Sequence, residues 1–295
     1  GNTYTVAIKG NFPALRMGSA DNASRGALVD VAQWGAQQWQ SMTGAFFECD
    51  NLVEFSASDA PDLTETTDMS QMFLGCDSFN GAIGHWDTSN VTDMNNMFVA
   101  AFSFNQPLVQ QPGGWNTSNV TDMSGMFVDA DAFNQDLSSW DTGNVTDMRY
   151  MFTGATAFNQ DLSSWDTSSV TDMEYMFSVT TAFNQDLSNW DTGNVTNMGS
   201  MFSGATAFDQ SLGDWDISSV TDMGGMLNNC GMSTENLNAT LIGWANFVEE
   251  NDGPSNITLG LEGLTICGTE VLTAGVILGA ANWTTSGETY TPACP

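Results

Sequence analysis

Asp136-Leu137-Ser138-Ser139-Trp140-Asp141-Thr142-Gly143-Asn144-Val145-Thr146-Asp147-Met148 returns with small changes at residues 161–173 and 186–198. The tryptophans that anchor it, Trp115, Trp140, Trp165, Trp190 and Trp215, each stand 25 residues after the last, and Trp86 precedes Trp115 by 29. A fixed period of this size is the mark of a stack of like units, each burying its apolar face only against its neighbours. The sequence therefore predicts a solenoid. It also shifts the expectation from a single catalytic cleft towards binding over a long surface.

Within each unit the strongest landmark is Met-x-x-Met-Phe, as at Met148, Met151 and Phe152 or Met173, Met176 and Phe177. Spacing of i, i+3, i+4 places three side chains on one face of a helical turn. The sequence predicts one short inward-packed helix per coil, with Asn144 or Thr146 as its cap and Asp147 in its first turn. The same slot holds Asp122, Asp172 and Asp222 but Asn197, so an acceptor is needed there and a charge is not. The other half, Phe133 to Trp140, is predicted to hold one short parallel strand with Phe133, Leu137 and Trp140 inward. Asn80, Asn105, Asn134, Asn159 and Asn184 then form an amide column that Asp209 ends. Gln106 to Gly114 accounts for the longer unit and reads as a loop.

The regular pattern gives three regions: an N-terminal cap at 1–40, the repeat solenoid at 41–232 and a C-terminal cap at 233–295. In the first, Thr3 to Ile8 alternates like a strand. In the last, Ser233 to Glu250 reads as a capped helix, Ile257 to Leu261 as a strand, Thr269 to Ala280 as a second helix, and Trp283 starts a final strand.

Charge narrows the partners. There are 35 acidic residues against four basic ones, a formal net charge of −31. Such a surface repels phosphate backbones, so neither nucleic acid nor an anionic membrane is expected. No apolar run reaches the roughly 18 residues of a membrane span, so no membrane insertion is expected.

Met201-Phe-Ser-Gly-Ala-Thr-Ala-Phe208, together with residues 133–142 and Asn144-Val-Thr-Asp-Met148, resembles the 25-residue repeat of BspA-like bacterial surface proteins, a repeat type also met in mycoplasma surface lipoproteins. The resemblance spans about residues 41–230, and Leu259 to Cys294 resembles the terminal module of such proteins. It implies a leucine-rich-repeat-like α/β solenoid, an extracellular location on the bacterial cell surface, and adhesion to host, matrix or cell-surface proteins or glycans. It carries no catalytic residues to transfer and names no ligand.

Three groups of side chains are then candidates for chemistry. Asp136, Asp161 and Asp186 form one column of carboxylates, and Asp141, Asp166, Asp191 and Asp216 another. Stacked carboxylates repel unless a cation or a donor intervenes, and calcium takes six to eight oxygens. Against calcium, Pro107 and Ser211 interrupt the first column and Asn116 the second. No other cofactor is expected. Cys267 and Cys294 lie outside the repeat, where a disulfide would tie the final strand to the cap; Cys49 and Cys76 share one slot in adjacent coils, within bonding range or simply as small buried residues. His85 is the only histidine and reads as a surface residue. Gln135, Gln160, Gln185 and Gln210 are the expected ligand face, on an exposed strand ladder. The leading expectation is a non-enzymatic adhesion or ligand-binding module. A self-associating subunit or tip of a surface filament is its rival, and a polysaccharide-active solenoid enzyme, starved of cations by a repeat body holding only Arg149, is a third reading.

Overall fold

One backbone bridge per unit ties the middle of the chain together. In the computed structural model, which describes residues 13–294, parallel bridges join Asp68 to Asp93 and then run through Asp122, Asp147, Asp172 and Asn197 to Asp222. Each coil therefore sits in register on the next. The strand expected at Thr3 to Ile8 lies outside the described residues.

The Met-x-x-Met-Phe segment is not helical. The backbone runs through successive tight turns, in which Met151 N–H donates to Met148 O, Thr153 N–H to Tyr150 O and Ala155 N–H to Phe152 O. The N–H groups between these donate to the next coil: Met148 to Asp172 O, Tyr150 to Glu174 O, Phe152 to Met176 O and Gly154 to Ser178 O, at 2.8–3.0 Å. The alternation is set by two left-handed residues per coil, here Tyr150 (φ 60°) and Gly154 (φ 71°), each third in its turn. The physical reason is supply and demand for backbone partners. A helix this short leaves most of its N–H and C=O groups unpaired. Turned sideways, every second N–H instead finds a carbonyl in the neighbouring coil. Both geometries point i, i+3 and i+4 inward, so Met148, Met151 and Phe152 are fully buried as the spacing requires.

The strand is displaced too. Among the described residues, the half running from Phe133 to Trp140 forms no backbone ladder, and the bridges fall at the Asp147 column instead. Side-chain amides replace the ladder: Asn134 N–H donates to Asn105 Oδ1 and Asn159 N–H to Asn134 Oδ1, both at 3.0 Å. Phe133 and Leu137 are nonetheless fully buried.

The core is a set of aromatic columns. Phe127, Phe152, Phe177 and Phe202 stack ring on ring, with centroids 5.6–5.7 Å apart, and Phe152 also lies 4.1 Å from Phe158 of its own coil. Buried indole N–H groups need acceptors. Trp165, Trp190 and Trp215 donate to Leu137 O, Leu162 O and Leu187 O of the preceding coils, each at 3.0 Å. Trp115, which follows the 106–114 insertion, is buried with its Nε1 lacking such a carbonyl.

Both ends extend the stack. Ala14 bridges Ser41 and Gln38 bridges Asp62 in parallel. Helix α1 (Asn22–Arg25) ends in an arginine that pairs with Glu48 at 2.7 Å and covers the Phe47 ring. At the other end, α2 (Thr234–Asn251) is capped by the Ser233 hydroxyl and buries Leu237, Leu241, Trp244 and Val248, with Trp244 meeting Trp283 at 6.4 Å between ring centroids. Gly213 and Gly243 let the two backbones meet, since a Cβ on Gly243 would lie 2.4 Å from Gly213 O. Next come β1 (Thr258–Gly260), β2 (Thr265–Cys267), α3 (Gly268–Ala280), β3 (Thr284–Ser286) and β4 (Thr289–Thr291). Strands β1 and β3 pair in parallel, as do β2 and β4, and Leu259 bridges Met223 to join them to the repeat.

Candidate ligand-binding face

The glutamine column is occupied by the fold. The Nε2 groups of Gln135, Gln160, Gln185 and Gln210 each donate, at 2.8 Å, to the Oδ1 of the asparagine one coil earlier: Asn105, Asn134, Asn159 and Asn184. That oxygen already accepts the backbone N–H beside the glutamine, so Asn and Gln act as a clamp across the coil boundary. The half-exposed glutamines of the expected ligand face therefore also tie coil to coil. Asp209 closes the series by accepting from Ser233 N–H (2.7 Å) and Asn236 Nδ2 (2.9 Å), which fastens α2 to the last coil.

The two expected carboxylate columns fold back on their own chain. Asp136, Asp161 and Asp186 accept the N–H two residues on, from Ser138, Ser163 and Ser188, at 2.8–2.9 Å. Hydrogen bonds from Ser138 and Ser163 hold the carboxyls of Asp136 and Asp161 below the usual range. In the second column Asp141 and Asp216 do likewise with Gly143 and Ser218. Among the described residues no three His, Cys, Asp or Glu side chains converge to hold a metal ion.

The column in closest register is the one expected in the first turn of each helix, that of Asp147. Its residues take the bridge positions, and each oxygen accepts the N–H two residues on, as Asp93 does from Asn95 and Asp172 from Glu174, both at 2.9 Å. Burial pushes the carboxyls of Asp93 and Asp147 up; Asp68 and Asp122 add to it at Asp93, while Arg149, paired with Asp147 at 2.9 Å, opposes it there.

Cys267 and Cys294 are bonded to each other, whereas Cys49, Cys76 and Cys230 are free and buried. Cys49 and Cys76 are thus not joined. The Cys76 thiol donates instead to Phe46 O at 2.9 Å, and Thr180, in the same slot three coils later than Ala101, makes the matching bond to Phe152 O. The slot wants a small donor or a small apolar group. Burial raises the Cys49 thiol to about 12 and Cys230 to about 11, so neither is a ready nucleophile.

Both left-handed corners vary from coil to coil, and at the first the residue pair after the methionine is Ser124-Gly125, Arg149-Tyr150, Glu174-Tyr175, Gly199-Ser200 and Gly224-Gly225. Sequence reasoning passed over this pair, although two tyrosines in one slot of adjacent coils were visible. Tyr150 and Tyr175 stack at the surface with centroids 5.0 Å apart and planes 7° apart. Two cavities, of about 100 and 270 Å3, lie around α2 and α3 and not on the coils.

A family model described as "Mycoplasma protein of unknown function, DUF285" matches residues 40–152 and again 136–240. The two matches overlap and together cover more than half of the chain. The chain belongs to this family. No curated protein and no solved structure matches it. The DUF285 region takes in the whole in-register Asp column and both surface tyrosines, and it ends inside α2.

Proposed function

We propose that this chain is a non-enzymatic ligand-binding module, an adhesin of the BspA type displayed outside a bacterial cell, in which the turn-built coils stack as a leucine-rich-repeat-like solenoid. The observation that carries the reading is the register of the stack. From Asp68 to Asp222 every coil is bonded to the next, so exposed side chains stand in fixed columns about 4.8 Å apart per step. A ligand meeting such a surface loses no affinity to ordering it. The Cys267–Cys294 bond fits an oxidising compartment. The net charge of −31 favours neutral or basic ligands. The purified chain, tested on arrays of glycans and matrix proteins, is expected to bind at least one saturably. Silence on both arrays together with turnover of a polysaccharide would replace this reading with an enzymatic one.

A second reading, end-on assembly into a filament, draws on α3. Leu272 and Val276 are 47% and 73% exposed on its outer side, at the end of the stack. Light scattering on a size-exclusion column, at low and high calcium, decides it: a strict monomer in both removes the filament.

A further inference from the structure

Tyr150 and Tyr175 are bulky residues in a conformation that bulky residues avoid, with φ of 60° and 56°. Backbone bonds on both sides hold them there: Tyr150 N–H donates to Glu174 O, Tyr175 N–H to Gly199 O, and the Thr153 hydroxyl to Tyr175 O. The corner is left-handed in every coil, so the fold sets it and the rings are an addition to it. The fold has no need of the rings, since the same corner holds Asn96, Gly125 and Ser200 in other coils.

Each ring spends one face on the other. The opposite face of Tyr150, which is 38% exposed, looks along the column to Gly125, which has no side chain to cover it. Asn96 Oδ1 reaches over that glycine, where a Cβ would lie 2.3 Å away, and so brings a polar edge to the same gap. The opposite face of Tyr175 looks to the small Ser200. Arg149 and Glu174 flank the pair, with Arg149 held by Asp147 at 2.9 Å. A flat ring face with acceptors and one donor at its rim suits a pyranose, whose C–H face stacks while its hydroxyls bond outward. The acidic surroundings disfavour an anionic sugar, and Arg149 beside Tyr150 disfavours a cation on the ring.

We propose that Tyr150 and Tyr175 form a stacking platform for a neutral sugar ring, rimmed by Arg149, Glu174 and Asn96. This deepens the ligand-binding reading and rests on it. The full chain is titrated with neutral glucan, mannan and N-acetylglucosamine oligomers, with uronate oligomers and with oligolysine. At least one neutral oligomer binds, and Tyr150→Asn and Tyr175→Asn each weaken it about ten-fold. Asparagine is chosen because Asn96 already occupies this left-handed corner. Gly125→Asn fills the gap with both tyrosines intact; it must push Asn96 Oδ1 aside in a left-handed corner, so it lowers the melting temperature slightly, and it weakens the same oligomer at temperatures where the variant is fully folded. The platform is overturned by sugar affinity that both tyrosine variants retain, by preference for oligolysine, or by no sugar binding at all. A matrix protein bound equally by wild type and tyrosine variants, with no sugar bound, would remove the platform and leave the ligand-binding reading standing. Failure of the wild type on every array would remove both.

Discussion

The coils between residues 68 and 222 and the segment after residue 233 solve one stacking problem with two backbones. In the coils, tight turns send every second N–H sideways, so each coil depends on its neighbours. After residue 233, α2 and α3 satisfy their own backbones, yet the strands beside them continue the stack: Leu227 N–H donates to Gly260 O and Leu261 N–H to Ser286 O. A unit made of turns can only be an interior unit. A unit carrying a helix can face solvent, and this is what an end needs.

The largest test of that contrast is Phe152→Ala. The ring is fully buried and stacks on Phe127, Phe158 and Phe177, so its loss is expected to cost about 3–5 kcal/mol. If turn-built coils are interdependent, hydrogen exchange will accelerate together from residue 68 to 222. Loss of protection confined to one coil would break the comparison. Cys267→Ser comes next. It opens a link between residues 27 apart in sequence and is expected to cost about 2–4 kcal/mol. Exchange should rise in α3 and β4 while the coils stay protected; coils that melt with the cap would show that the helices do not insulate them.

The smallest effect is Asp93→Asn. Burial, then Asp122 and Asp68, raise this carboxyl, and its folded state therefore favours the proton. That contribution is present below the unfolded value and lost as pH rises through the folded one. The amide keeps the acceptor for Asn95 N–H without the charge, so the variant should gain about 0.5 kcal/mol or less at pH 7, shrinking towards zero near pH 4. Asp136 has the opposite sign: its lowered carboxyl stabilises above the unfolded value and is lost as pH falls. A gain for Asp93→Asn that ignored pH would mean that charge is not what the column tolerates.

The period and the inward residues were legible because burial follows spacing. Met148, Met151, Phe152 and Phe133 had to face inward under any backbone that keeps their intervals. The backbone itself was not legible from that spacing, because two linked turns and one helical turn place i, i+3 and i+4 alike. The discriminating signal was the recurrence of Gly125 with Gly225 and of Gly154 with Gly204, which mark corners with positive φ. The glutamines' bonds between coils were hidden for a different reason. A polar residue that repeats reads as solvent-facing, but each of these glutamines stands 26 or 30 residues after an asparagine of the preceding coil, and that pairing belongs to a clamp. The tyrosine pair was not legible because it occupies a slot that other coils fill with asparagine, glycine or serine, so the period does not mark it.

The sideways bonds also have a mechanical side. They lie along the axis of the stack, so a pull between its two ends loads them in series, one coil boundary at a time, and no boundary shares its load with the next. Each regular coil that peels away releases 25 residues, roughly 80–90 Å of extended chain, and the coil with the 106–114 loop releases 29. Such a body yields by letting out length in near-equal steps while the remaining coils hold their shape.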